Sequence, residues 1–241
     1  MMAVRDLTHY EQLAILLDYP GRDYPAHVRG ICGFLERRYP LAAAELERFA
    51  TALPSHGDVF SVEELDEIQE IFTRSFDVQS ITTLGVGYVM FGDDYKRGEL
   101  LVNLNREHNE VGLDCGSELS DHLPNVLRLI ARWRDRELVT EFVEEILHPA
   151  LERMIAEFGP KRMEQRNGLY EKHFKTLIAT STERGTIFRM PLAAALEVLK
   201  EDFGLPEWKP PEQDNDFLRS IGRELDIEAT EGRSARSGKM L

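Results

Sequence analysis

Apolar residues recur along most of this chain at steps of three and four, the spacing that gathers them on one face of an α-helix. Leu13, Leu16 and Leu17 form the first stripe, and Tyr19-Pro20-Gly21 closes it because proline disfavours helix at the residue before it. Val28, Ile31, Cys32 and Leu35 mark a second helix ending at Tyr39-Pro40, and a third is expected from Leu41 to Leu53. Ser61 and Glu64 have capping-box spacing: the hydroxyl can accept from a first-turn amide while the carboxylate reaches back to the cap amide. The helix they start carries Leu65, Ile68, Ile71, Phe72 and Phe76.

The stretch from Asp77 to Phe91 reads as helical, with Gly85-Val86-Gly87 inside its apolar run. Asp94 to Val111 follows, with Leu101, Leu104, His108 and Val111 on one stripe and Gly112 placed to cap it. Leu123, Val126, Leu127 and Ile130 continue the pattern, as do Leu138, Phe142, Val143, Ile146 and Leu147. Pro149 breaks or restarts the helix carrying Leu151, Met154, Ile155 and Phe158 to Gly159; Leu169 to Ala179 and Pro191 to Phe203 complete the series. Strand-like alternation is nearly absent. Roughly ten helical segments with short connections predict an all-α, single-domain helical bundle. That domain is expected over residues 1–204. Residues 205–241 read as a linker containing Pro206, Pro210 and Pro211, then a short helix from Phe217 to Leu225, then a flexible tail from Thr230 to Leu241 that is small, polar and basic.

Composition narrows the function. With 241 residues and 42% hydrophobic side chains the chain can bury one substantial core. Its 29 basic and 43 acidic side chains give a net charge of −14, which argues against a nucleic-acid partner or an anionic membrane surface and favours a positively charged one. Cys32 and Cys115 lack metal spacing and read as small core residues in a reducing compartment. The first residues show no apolar signal-peptide core, and no window reaches the ~18 apolar residues of a membrane span. From Asp58 to Glu70 there are six acids and no base, which reads as a solvated helix face.

Enzyme motifs are sparse. A di-iron bundle needs two Glu-x-x-His units, and only Glu145 to His148 is present, running into Pro149. Gly85-Val86-Gly87 lacks the third glycine and the preceding strand of a dinucleotide site. His108 sits on an apolar stripe as a core histidine would, while His9, His27, His56 and His173 have no partner at useful spacing. One dense stretch remains, Tyr88 to Pro124. Asp121 reads as an N-cap for a helix with Pro124 in its first turn, a role that leaves His122 and the upstream acids unexplained. From Asp93 to Glu118 there are seven acids and three bases, a surface suited to a basic, amphipathic peptide.

Several of these segments together resemble the NarJ/TorD family of redox-enzyme maturation chaperones, most closely its NarJ-like branch. The resemblance rests on Leu16-Leu17-Asp18-Tyr19-Pro20, Phe76-Asp77, Gly92-Asp93 with Arg97-Gly98, and Glu118-Leu119-Ser120-Asp121-His122-Leu123-Pro124, and spans about residues 11 to 180. The last segment is similar to the family's ELPDHLP signature, with Ser120 where proline is usual. Gly85 and Gly87 stand where family members often carry larger residues.

The resemblance implies an all-helical cytoplasmic chaperone, not an enzyme, with no tightly bound cofactor, no metal and no catalytic residue of its own. Its partner would be the N-terminal segment of the catalytic subunit of a molybdenum-containing, nitrate-reductase-like oxidoreductase, held ready for insertion of bis-molybdopterin guanine dinucleotide before assembly or export. Cofactor-delivery proteins are further candidate partners. By position, client contact falls to Tyr88, Phe91, Asp94, Arg97, Glu118, Asp121 and His122, with Leu123 and Pro124 shaping the turn. Two alternatives stand beside it. One is a metal-dependent enzyme using Asp121 with His122, or Glu145 with His148; the other is a helical scaffold for an unrelated protein.

Overall fold

The computed structural model describes residues 6–174 and 184–208, with side chains in the first stretch described to Tyr170. The helices are α1 (Tyr10–Ile15), α2 (Tyr24–Leu35), α3 (Pro40–Ala52), α4 (Val62–Phe76), α5 (Val86–Phe91), α6 (Tyr95–Glu110), α7 (Leu123–Arg132), α8 (Arg136–Phe142), α9 (His148–Glu157), α10 (Pro160–Phe174) and α11 (Arg189–Phe203). A π-helical turn, Val143–Leu147, joins α8 to α9. Among the described residues the β-type pairing amounts to one antiparallel bridge, Gly85 to His122, so the fold is all-α. No described helix is long and apolar enough to cross a membrane.

The stripes face one shared core. Val28, Ile31, Cys32 and Leu35 of α2 are buried, and α7 buries Leu123, Val126, Leu127, Leu129 and Ile130 on one broad face while Asn125, Arg128 and Arg132 share the opposite side. A helix with a broad apolar face and a polar opposite side turns the first to the core and the second outward; α1 packs on α7, while α11 lies against α3 and α9. Phe188, just ahead of α11, locks this arrangement, with its ring centroid 5.4 Å from Phe49, 5.1 Å from Phe72 and 5.6 Å from Phe76. Phe72 and Phe76 thereby take part in the core while remaining available to the surface on their other side.

The ends follow local chemistry. The Ser61–Glu64 capping box forms, with Ser61 N donating to Glu64 Oε2 at 2.8 Å and Glu64 N to Ser61 Oγ at 3.2 Å. Gly112 follows α6 at φ 68°, where an L side chain would be strained. In the acidic run, Glu63, Asp66 and Glu70 are exposed, while Asp58 pairs with Arg29 and Glu67 with Arg184.

Two expectations change, and the break or restart expected at Pro149 resolves to a restart. Residues 77–85 are irregular, and α5 begins only at Val86, because Gly85 is extended at φ −76°, ψ 99° and is occupied by the bridge to His122. Helix α10 starts at Pro160, earlier than the stripe from Leu169 indicates; its expected continuation to Ala179 lies outside the described residues. At Pro149 the chain restarts as a helix: Pro149 occupies the first turn of α9, where a missing amide costs least, and the π turn takes up the change in register. The expected helix from Phe217 to Leu225 and the tail from Thr230 also lie outside the described residues.

Candidate functional site

The loop ahead of α7 is stitched to the entrance of α5. Val86 N donates to the Asp121 carbonyl at 2.9 Å and Leu123 N to the Leu84 carbonyl at 2.8 Å, holding both strands of the bridge extended. Successive side chains on extended backbone leave on opposite sides. Asp121 therefore points into the protein while His122 faces a cavity. This overturns the capping role expected of Asp121: the N-cap of α7 is His122, at φ −64°, ψ 127°, and it makes no side-chain cap bond. Leu123 and Pro124 are buried in the first turn and shape it from within.

Asp121 is 1% exposed. Its Oδ2 accepts from Gly87 N at 3.2 Å and from Arg97 Nε at 3.2 Å, and the Arg97 guanidinium lies 5.1 Å from the centroid of the Tyr88 ring. Its Oδ1 is buried without a hydrogen-bond partner among the described residues. Gly87 makes the arrangement possible: a Cβ there would sit 2.9 Å from Asp121 Oδ2, 3.1 Å from Leu100 Cδ2 and 3.2 Å from Arg97 Cγ. Tyr88, Arg97 and Asp121 thus come together as a latch between α5, α6 and the loop. Asp94 caps α6, accepting from Lys96 N at 3.0 Å, and is exposed; Phe91 is half-buried at the end of α5. None of these five lines the cavity.

Of the expected contact residues, Glu118 and His122 do line it. The cavity encloses about 630 Å³. Phe72, Phe76 and Leu84 give it apolar surface, and Asp18, Asp77, Asp114 and Glu118 supply carboxylates. Tyr19, 58% exposed, stands edge-on against Phe72 at 5.5 Å between centroids. Arg128 from α7 donates to Asp18 and so has its charge already answered. Burial lowers the His122 pKa below the usual histidine value against the pull of Glu118, Asp18 and Asp121, which favours the neutral imidazole. Cys115, expected in the core, is instead half-buried on the cavity wall, its thiol pushed up by burial and then by Asp114.

Sequence reasoning assigned no site role to Asp18, Tyr19, Phe72, Phe76, Asp77 or Arg128. A signal was present for four of them: Asp18-Tyr19 and Phe76-Asp77 belong to the segments that carry the family resemblance. Those segments and Glu118 to His122 are far apart in the chain and meet at one cavity.

The other candidate chemistry is dispersed. Glu145 is exposed, whereas His148 is buried with Glu152 Oε1 3.6 Å from its Nε2, so the π turn separates the two. His108 is a core residue, its Nδ1 2.8 Å from the Leu104 carbonyl and its Nε2 3.2 Å from that of Asn125. His9 does have a partner, found only across the fold: Nε2 lies 2.6 Å from Asp202 Oδ2 on α11. Among the described residues Cys32, Glu36 and Glu47 bring metal-ligating atom types within 4.8 Å of one another, but both carboxylates are exposed and the Cys32 thiol donates to the Ala43 carbonyl. That group includes neither Asp121 with His122 nor Glu145 with His148. No protein-family model and no curated protein matches the chain.

Proposed function

We propose that this protein is a cytoplasmic maturation chaperone of the NarJ/TorD kind, whose cavity beside His122 takes the N-terminal segment of a molybdoenzyme catalytic subunit. The observation that carries the reading is the convergence of Asp18-Tyr19, Phe76-Asp77 and Glu118 with His122 on a single cavity. A peptide with an apolar face and a basic end fits it physically. The apolar face would lie on Phe72, Phe76 and Leu84, with the exposed Tyr19 at its edge, and the basic end would meet Asp77, Asp114 and Glu118.

Ordering a flexible peptide costs about 2–5 kcal/mol of the gross interaction, so affinity is moderate and release remains feasible once the client folds around its cofactor. In this reading the chain is neither catalyst nor subunit of the mature enzyme. Asp121, Arg97 and Tyr88 act as positioning residues, holding the loop so that His122 faces the cavity. The test is calorimetry with the client's N-terminal peptide against native protein and a variant carrying Glu118→Gln and His122→Ala. Loss of binding with an unchanged helical spectrum supports the site, and unchanged affinity removes it. Recovery of a molybdoenzyme catalytic subunit as the dominant co-purifying protein tests the client.

A further inference from the structure

A cavity with these walls has a second suitable occupant within the same molecule. Asp77, Asp114 and Glu118 are exposed on its rim and form no salt bridge with any described residue, whereas Asp18 is answered by Arg128. Cationic segments to answer them are scarce in a chain with 43 acids and 29 bases. One stands out: residues 232–241, GRSARSGKML, contain Arg233, Arg236 and Lys239, no Asp or Glu, and the apolar pair Met240-Leu241.

We infer that the cavity beside His122 is an intramolecular docking site for this chain's own residues 232–241, which occupy it when no other basic peptide is bound. Arg233, Arg236 and Lys239 meet Asp77, Asp114 and Glu118, and Met240 and Leu241 lie toward Phe72 and Phe76. Reach is sufficient: the 24 residues between Trp208 and Arg233 can span up to about 80 Å. A domain of roughly 200 residues is only about 45 Å across. Tethering raises the local concentration of the segment to the order of millimolar, so an individually weak set of contacts is enough to fill the site. The consequence is competitive: any basic client must displace the tail, which keeps weakly matching peptides out. The inference stands whether or not the cavity takes a molybdoenzyme leader.

Carbodiimide treatment of the full chain, followed by peptide mass spectrometry, tests the contact. An amide between Lys239 and Asp77, Asp114 or Glu118 is expected, formed within one molecule when labelled and unlabelled protein are mixed. Absence of that amide while other Lys–carboxylate links form overturns the proposal. Links found only between molecules overturn it in favour of a second copy. Occupancy is tested with a dye-labelled peptide of residues 230–241. It should bind the full chain carrying Arg233→Gln, Arg236→Gln and Lys239→Gln several-fold more tightly than the native chain. Adding Asp77→Asn, Asp114→Asn and Glu118→Gln should abolish that binding. Equal affinity for the native and tail-neutralised chains overturns the inference. No client peptide enters either experiment, so failure here is distinct from failure of the chaperone reading.

Discussion

Asp202 and Asp121 are each 1% exposed, yet they are buried in different company. Asp202, on α11, has both oxygens engaged: Oδ2 lies 2.6 Å from His9 Nε2, and Oδ1 accepts from Tyr39 at 2.8 Å and Arg38 at 2.8 Å. Burial alone would raise its pKa, but the bonds from His9 and Tyr39 and the charges of His9 and Arg38 bring it below the usual carboxylate value. Asp121 uses one oxygen for Gly87 and Arg97 and leaves the other without a partner among the described residues. A fully satisfied buried network joins and rigidifies what it touches. The first network ties α11 back to α1 and to the turn before α3. The second stops at half satisfaction next to His122, the residue that faces the cavity.

The largest test of that contrast is Asp202→Ala, which strands His9 and Tyr39 in the interior. A loss of about 3–5 kcal/mol in denaturant unfolding is expected, as for breaking a buried hydrogen-bonded ion pair. Asp121→Ala should cost less, about 2 kcal/mol, because Arg97 is 23% exposed and can turn to water. Asp121→Asn should recover more than half of that loss, since the amide oxygen still accepts from Gly87. Equal losses for Asp202→Ala and Asp121→Ala would erase the distinction between the two networks. Gly87→Ala is expected to cost about 1–2 kcal/mol through overpacking against Asp121 and Leu100. Combined with Asp121→Ala it should cost less than the sum, because the closest atom it meets has been removed.

The same pair shows what could be read in the sequence. Helices were readable because their signals are local: Val28, Ile31, Cys32 and Leu35 are buried as their spacing requires, and Ser61 with Glu64 forms its box. The His9–Asp202 contact has 193 intervening steps along the chain, and no spacing rule reaches that far. Asp121 misled for a related reason. Pro124 correctly announced a helix start, but the bridge from Gly85 to His122 moved the cap by one residue and turned Asp121 inward. Residues 77–85 follow a strong helical stripe, but Gln79 at φ 45° and the bonds of Ile81 N and Thr82 N back to the end of α4 turn the chain before Leu84 and Gly85 join the loop ahead of α7. The candidate site was half readable: Glu118 and His122 face the cavity, whereas its aromatic walls come from α4 stripe residues whose burial looked sufficient explanation.

The smallest effect on stability, and the sharpest on the site, is expected at His122. Burial opposes its imidazolium, so as pH falls the unfolded chain takes the proton first, near the ordinary value of about 6.5. Stability is therefore complete above that value and declines as pH drops toward the folded group's lower pKa. His148 shifts in the same direction, again chiefly through burial, and contributes in parallel. His122→Asn should leave unfolding at about pH 7.5 within roughly 0.5 kcal/mol of native and reduce, without removing, the decline below about pH 6.5. Peptide binding should respond more strongly than stability. Protonated His122 adds a positive charge beside Asp18, Glu118 and Asp121, with Arg128 already present, and this weakens the pull on a basic segment. Affinity for a basic peptide should fall on acidification in the native chain and stay nearly flat in His122→Asn; a parallel fall in both would place the responsible proton elsewhere.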